Sequence, residues 1–224
     1  YELARDVLLP EFDIPEEWIY CHIGEIADVS NGSTPSRQEP AYWGGSIPWV
    51  SSGLVQNNII LQTHEHITEA GFKNSSVKLL PVGTILIAMI GEGKTRGQSS
   101  ILKIEATINQ NIAAMIIDHG MIVPEYLQLW LMQSYESNRT FGNGTGPQAL
   151  NCQRVRELPF VLMSLEEQQE IVCQIGSLFA KADKLETQYQ SLKEKLDQLP
   201  QALLAKAFRG ELVEQLPTDG DARE

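Results

Sequence analysis

Residues 164–216, SLEEQQEIVCQIGSLFAKADKLETQYQSLKEKLDQLPQALLAKAFRGELVEQL, carry the pattern that decides the fold. Ile171, Ile175, Leu178, Ala182, Leu185, Tyr189, Leu192, Leu196, Leu199 and Leu203 alternate four and three apart, with Glu, Gln, Lys and Asp between them. That 3.5-residue period is the mark of a long helix burying one narrow seam against another helix. At ~1.5 Å per residue the rod is roughly 60 Å or longer, more than a lid over its own domain requires. It reads as a spacer or docking surface, with folding back onto its own domain as the plainer alternative. Pro200 lies inside the pattern, where the missing N–H predicts a bend or a separate final piece, QALLAKAF.

Outside the rod, composition sets bounds. The chain has 224 residues and 42% hydrophobic content, enough for one sizeable core. It begins with Tyr, as a fragment would, and contains no signal peptide or apolar run of membrane-spanning length. Cys21, Cys152 and Cys173 are scattered and form no CxxC, which favours a reducing, cytoplasmic setting over a zinc site. His64-Glu-His66 puts two rings on one strand face but lacks a third ligand, so a surface strand is expected there.

The net charge of −12 is opposite to the footprint of a nucleic-acid binder. Its distribution changes the reading. Eight acids against Arg5 alone occupy residues 1–28, and the helix and tail are acidic, whereas Val29 to Met163 holds nine acids and nine bases. The bases cluster at Lys94/Arg96, Arg139 and Arg154/Arg156, so a local basic face is compatible with the composition but strong unaided DNA binding is not.

In chain order, a strand is expected around Trp18 to His22 and a helical turn from Glu25 to Asp28. The Gly-, Ser- and Pro-rich stretch 30–53 reads as packed loop with a short strand at Ile47 to Val50. Thr68 caps a short helix through Phe72. GTILIAMIG, SSILKI and NIAAMIID read as strands, Pro124 opens an amphipathic helix carrying Tyr126, Leu127, Trp130, Leu131 and Tyr135, Asn151 caps another, and LPFVLM is a last strand. Short strands with few helices between them define an α+β domain on a mixed or antiparallel sheet. The expected organisation is a globular domain over 1–163, the coiled-coil-type helix over 164–216 and a polar tail over 217–224.

Catalytic constellations fail on inspection. Gly93-Lys94-Thr95 evokes a phosphate loop, but the first glycine of that motif falls at Ala88, and the following RGQSSILKI reads as turn and strand instead of a helix. No methyltransferase, nuclease or Ser/His/Asp set is apparent. A binding protein with polar loops is the better reading, and Lys94 and Arg96 on an exposed turn suit phosphate contact.

Five stretches in order, SNGSTPSRQEPAYWGGSIPWV, TILIAMIGEGKTRGQSSIL, TINQNIAAM, LPFVLMSLEEQQEIV and LPQALLAKAFRGELV, resemble the hallmarks of the specificity subunit of type I restriction-modification systems, over about Ile14 to Leu216. The resemblance implies one half of such a subunit: one target recognition domain and one of two helices. The AFRGELV ending favours the second, C-terminal half, and a short half-subunit that dimerises is the other option. The resemblance implies a non-catalytic reader of one half of a bipartite site in double-stranded DNA. Its helix would pair with the helix of the other half, or with that of a second copy, and dock methyltransferase subunits. Those subunits would bind S-adenosylmethionine, and a restriction subunit, linked indirectly, would use ATP. This chain would bind neither cofactor nor metal, and no membrane.

For DNA contact the residue types single out Ser36, Arg37, Ser51, Ser52, Lys94, Thr95, Arg96, Arg139, Asn143 and Gln148. Tyr42, Trp43, Gly44, Gly45 and Trp49 are expected to form a structural frame, and Asn109, Gln110 and Asn111 to satisfy backbone groups or touch DNA, with the former favoured. Ile171, Ile175, Leu178, Leu185, Tyr189, Leu192, Leu196 and Leu199 are the expected helix-pairing seam.

Overall fold

The structure is a computed structural model, described for Pro15 and residues 17–91, 94–140 and 150–212. The chain divides into two units, Tyr1–Val172 and Cys173–Glu224. The first opens with strand β1 (Ile19–His22) and the one-turn helix α1 (Ile23–Ile26). A reciprocal cap starts that turn, the Glu25 carboxylate accepting from the His22 backbone N–H at 2.8 Å. The turn ends earlier than the expected Asp28, because Ala27–Asn31 is a strand, β2, paired antiparallel with residues 113–117. Val29 is its one fully buried side chain. So weak an alternation, running into SNGST, does not reveal a strand without its partner.

Strand β3 spans Trp43–Val50, four residues longer at its start than expected. Trp43 and Ile47 both face Ile67 of strand β5 (Glu65–Ile67), so the extra residues form a bulge, with Gly44 at φ +79°. The two-residue strand β4 (Ile59–Ile60) falls between them in sequence, and Thr68 caps the helix α2 (Glu69–Lys73) as expected, accepting from the Gly71 N–H at 3.1 Å. The apolar runs then give β6 (Ile85–Ala88), β7 (Ser99–Leu102), a short β8 (Thr107–Ile108) and β9 (Ile112–Ile117). Helix α3 (Pro124–Gln133) stops before Tyr135, which begins a separate helix α4 (Tyr135–Thr140). Asn151 caps α5 (Cys152–Arg156), accepting from the Arg154 N–H at 2.8 Å, and β10 (Pro159–Leu162) pairs with β1.

Among the described residues the main sheet has the order β2-β9-β6-β7-β4, antiparallel except for the parallel β4–β7 pair, and a smaller sheet has the order β5-β3-β8. All four residues of β6 are buried because both faces of the strand are covered. Ile85 and Ile87 join Met115, Leu127, Leu131 and Phe160 in one core; Leu86 and Ala88 join Val55, Leu102 and Ala114 in another. This is the expected α+β class with a mixed sheet.

The long helix α6 runs Leu165–Phe208, about 66 Å at 1.5 Å per residue, and continues through Pro200 without a break. It ends at Gly210, φ +70°, where the Gly210 and Glu211 N–H groups return to the carbonyls of Ala207 and Lys206. Its start is fixed within the first unit. Gln168 is fully buried: its Oε1 accepts from the Val123 N–H at 2.8 Å and its Nε2 donates to the carbonyls of Met121 and Met163 at 3.0 and 2.9 Å. Ile171 and Val172 then pack on the larger core, so the first expected seam residue is held by its own domain.

Gln168→Leu keeps the volume but removes three hydrogen bonds: the buried Met163 carbonyl left unpaired costs about 1–3 kcal/mol, and the part-buried Val123 N–H and Met121 carbonyl cost less each. Urea denaturation should show a loss of about 3 kcal/mol or more, against near-neutrality for Gln169→Leu on the exposed face.

Candidate nucleic-acid interface

The sheet register gathers the candidate loops. Asn31 lies opposite Ala113, Ala88 opposite Ile112 and Ile87 opposite Ser99, while β4 runs parallel to β7 with Ile59 beside Ile101. The segment after β2, the loop between β6 and β7, the turn before β9 and the residues leading into β4 therefore emerge at one end of the main sheet. The parallel β3–β8 pair ends at Val50 and Ile108, and the Asn109 N–H donates to the Val50 carbonyl, which brings Ser51 and Ser52 to the same rim. Both serines are half-buried, beside a 3₁₀ turn at Ser52–Gln56.

The first rim element is residues 32–39, tied down at successive points. The Ser33 N–H donates to the Ile108 carbonyl and its own carbonyl accepts from Trp49 Nε1 at 3.1 Å; Thr34 Oγ1 donates to Gln110 Oε1 at 2.5 Å; Trp43 Nε1 donates to the Ser36 carbonyl at 3.1 Å. The Trp43 and Trp49 rings meet edge to face at 5.2 Å, and the Arg37 guanidinium lies 3.7 Å from the Trp43 centroid and 4.9 Å from that of Trp49. Arg37 Nη1 also reaches Glu65 Oε1 at 2.5 Å. Ser36 is exposed, and Arg37 remains half exposed at the edge of a cleft that also holds His64 and His66. Trp49 is buried, Trp43 half-buried and Tyr42 supports α2, its carbonyl accepting from the Thr68 N–H.

The second rim element is the β6–β7 loop. Lys94 is exposed and Thr95 and Arg96 half-buried. The phenol of Tyr135 donates to the Lys94 carbonyl at 2.6 Å and accepts from Arg139 Nη1 at 2.5 Å, so Lys94 and Arg139 sit on one small framework. Beneath lies a cavity of about 200 Å³ lined by Asn58, Gly97, Gln98, Ser99, Met132 and Tyr135. Asn109 is buried and its Oδ1 accepts from the Asn111 N–H, a role in backbone satisfaction, whereas Gln110 is exposed. Arg156 turns inward and donates to the Val29 carbonyl. Asn143 and Gln148 lie outside the described residues.

Residue type alone flagged the cations but not Tyr135 or Glu65, whose partners are 41 and 28 residues away in sequence. Elsewhere, burial pushes the Cys21 thiol up to about 11 and raises the Tyr126 phenol, whose Oη donates to the Val161 carbonyl at 3.0 Å. Both belong to the core and neither lies on the rim. Among the described residues no group of three or more His, Cys, Asp or Glu side chains is placed to hold a metal ion, and no helix is long and apolar enough to cross a membrane.

Residues 15–194 match the family described as the type I restriction modification DNA specificity domain. The chain belongs to that family. It is 33% identical over 165 residues to the MjaIX specificity subunit of Methanocaldococcus jannaschii, covering 70% of this chain and 37% of that protein. With the EcoBI specificity subunit of Escherichia coli it shares 30% over 174 residues, 74% of this chain and 34% of the relative. The chain thus spans about a third of the length of these curated relatives. The fold matches the crystal structure of an HsdS subunit from Thermoanaerobacter tengcongensis with a TM-score of 0.68 at 19% identity, over 94% of this chain and 50% of that one. A chain solved in work on type I restriction-modification complex assembly and conformational transition gives 0.71 at 20% identity, over 94% and 52%.

Two neighbouring glycines separate the frame's demands. A Cβ on Gly45 would lie 2.4 Å from the Ile67 carbonyl oxygen, whereas one on Gly44 meets nothing within 4 Å and bears only the strain of its positive φ. Gly45→Ala should destabilise by about 3 kcal/mol and Gly44→Ala by about 1 kcal/mol, as measured by chemical denaturation.

Proposed function

We propose that this chain is one half of a type I specificity subunit, a non-catalytic reader that contacts one half of a bipartite site in double-stranded DNA. The observation that carries the reading is the convergence of Ser36, Arg37, Ser51, Ser52, Lys94, Thr95, Arg96 and Arg139 on one sheet end and the helices beside it, in a chain of the DNA specificity family. Polar loops on a rigid sheet can follow groove and backbone while the frame stays constant. The chemistry would belong to partner subunits in the cytoplasm: methyltransferase subunits holding S-adenosylmethionine, and a restriction subunit using ATP.

The helix supports the assembly half of the proposal. Leu178, Leu185, Tyr189, Leu192 and Leu196 are 58–66% exposed and Leu199 is 48% exposed, a stripe that one helix leaves in water. A second helix, from the other half of the subunit or a second copy of this chain, would cover it, and the pair would set the distance between half-sites.

The test is methylation mapping. In cells carrying this chain with its methyltransferase subunits, single-molecule sequencing should place methylated adenines in a defined split motif; methylation without sequence preference would refute the reader. Lys94→Ala in the assembly should weaken target binding and lower the slope of log affinity against log salt by about 1, as expected for one phosphate contact. A coiled-coil adaptor with no DNA contact would show neither change, while losing assembly on Leu192→Asp.

The spacing claim has its own measurement. Four residues inserted into the helix lengthen it by ~6 Å. At ~3.4 Å per base step the gap in the methylated motif should change by about two base pairs. An unchanged gap would refute the ruler.

A further inference from the structure

The second rim element contains a residue that residue-type reasoning leaves out. Lys94 and Arg139 are 45 positions apart in sequence and lie on different elements. A single phenolic oxygen joins them: Tyr135 Oη donates to the Lys94 carbonyl at 2.6 Å and accepts from Arg139 Nη1 at 2.5 Å. The Arg139 guanidinium carbon also lies 5.3 Å from the centroid of the same ring. The loop meets the helix closely, for a Cβ on Gly97, φ +84°, would fall 2.9 Å from Arg139 Cγ. Within the loop, the Gly97 N–H donates to the Ala88 carbonyl and the Gln98 N–H to that of Thr95. Lys94 therefore has its backbone, and Arg139 its guanidinium, fixed by one hydroxyl.

A loop backbone or a guanidinium that must be ordered on binding loses conformational entropy, and one held beforehand loses less. We propose that Tyr135 is a positioning residue that presents Lys94 and Arg139 together to adjacent backbone phosphates of a DNA duplex. This deepens the DNA-reading proposal and rests on it. Tyr135 itself needs no contact with the nucleic acid; it acts through the two cations.

The experiment uses the assembly of this chain with its methyltransferase subunits and a duplex selected by that assembly from a randomised pool. Affinity is measured across a salt series for wild type, Tyr135→Phe, Lys94→Ala, Arg139→Lys and the Tyr135→Phe/Lys94→Ala pair. Tyr135→Phe keeps the ring and removes one oxygen. It should weaken binding roughly tenfold, reduce the salt slope by about 1, and cost measurably less on the Lys94→Ala background than on wild type, because only the Arg139 arm is then left to lose. Arg139→Lys keeps the charge but not the planar fork, and should behave like Tyr135→Phe. In the free chain, amide exchange at Gly97 and Gln98 should rise about tenfold in Tyr135→Phe, a readout independent of DNA.

Wild-type affinity and slope in Tyr135→Phe would overturn the positioning role, as would a loss that adds fully to that of Lys94→Ala or unchanged amide exchange. If Lys94→Ala itself leaves affinity and slope unaltered, the failure lies with the phosphate reading of this rim, and the positioning proposal falls with it.

Discussion

The structure depends on the complete burial of β6. With one core against Ile85 and Ile87 and another against Leu86 and Ala88, no residue of this strand has a solvent-facing side on which to place a polar group. Polar chemistry is pushed to the strand ends, and antiparallel pairing with β9 and β7 decides which connections share an end. A one-residue slip would reverse every inward and outward side chain, so two opposed apolar faces pin the register tightly. The rim carrying Arg37, Lys94 and Arg96 is thus a consequence of core packing, although none of these residues belongs to a core.

The long helix follows the opposite rule. Its N-terminal turn is integrated into the first unit through the buried Gln168 and the half-buried Ile171 and Val172. Beyond Val172, apolar seam positions such as Leu185 and Leu192 are exposed, and a stripe of leucines in water gives an isolated helix little reason to persist. Propensity and the Gly210 terminus define where it stops, but a partner surface supplies the burial that the heptad pattern requires. Pro200 interrupts neither the pattern nor the helix, although it removes one N–H and crowds the preceding turn, at a cost of about 3 kcal/mol that the rest of the rod must offset.

Much of this was legible before the structure. The heptad rod, the caps Thr68 and Asn151 and the apolar strands β6, β7 and β9 all rest on local patterns. What escaped rests on non-local pairing. The two-residue strands β4 and β8 exist because of their parallel partners, and β2 is a strand because β9 lies beside it. In the rim, Arg37 and Lys94 stood out by type. The stacking of Arg37 on two tryptophans and its pairing with Glu65 required β3 and β5 to be adjacent. Tyr135 carried a misleading signal: its spacing from Leu131 extends the apolar face of α3, yet the helix breaks at Ser134 and its hydroxyl faces a loop 41 residues earlier in sequence.

Net charge is a poor guide to such a surface, for a physical reason. The total of −12 comes from the acids up to and including Asp28 and from those along the helix and tail, and at physiological ionic strength exposed charges beyond about 8 Å are largely screened. Local arrangement then matters more than the sum. The Arg37–Glu65 pair is half exposed on both sides, so its Coulomb attraction is weak, and under the DNA-reading proposal a phosphate would replace the carboxylate at little cost. The Trp43 and Trp49 ring centroids lie 3.7 and 4.9 Å from the guanidinium carbon, contacts that do not depend on that pairing. In the DNA-reading proposal, an acidic chain can thus present an oriented arginine whose electrostatic partner is exchangeable and whose aromatic support is not.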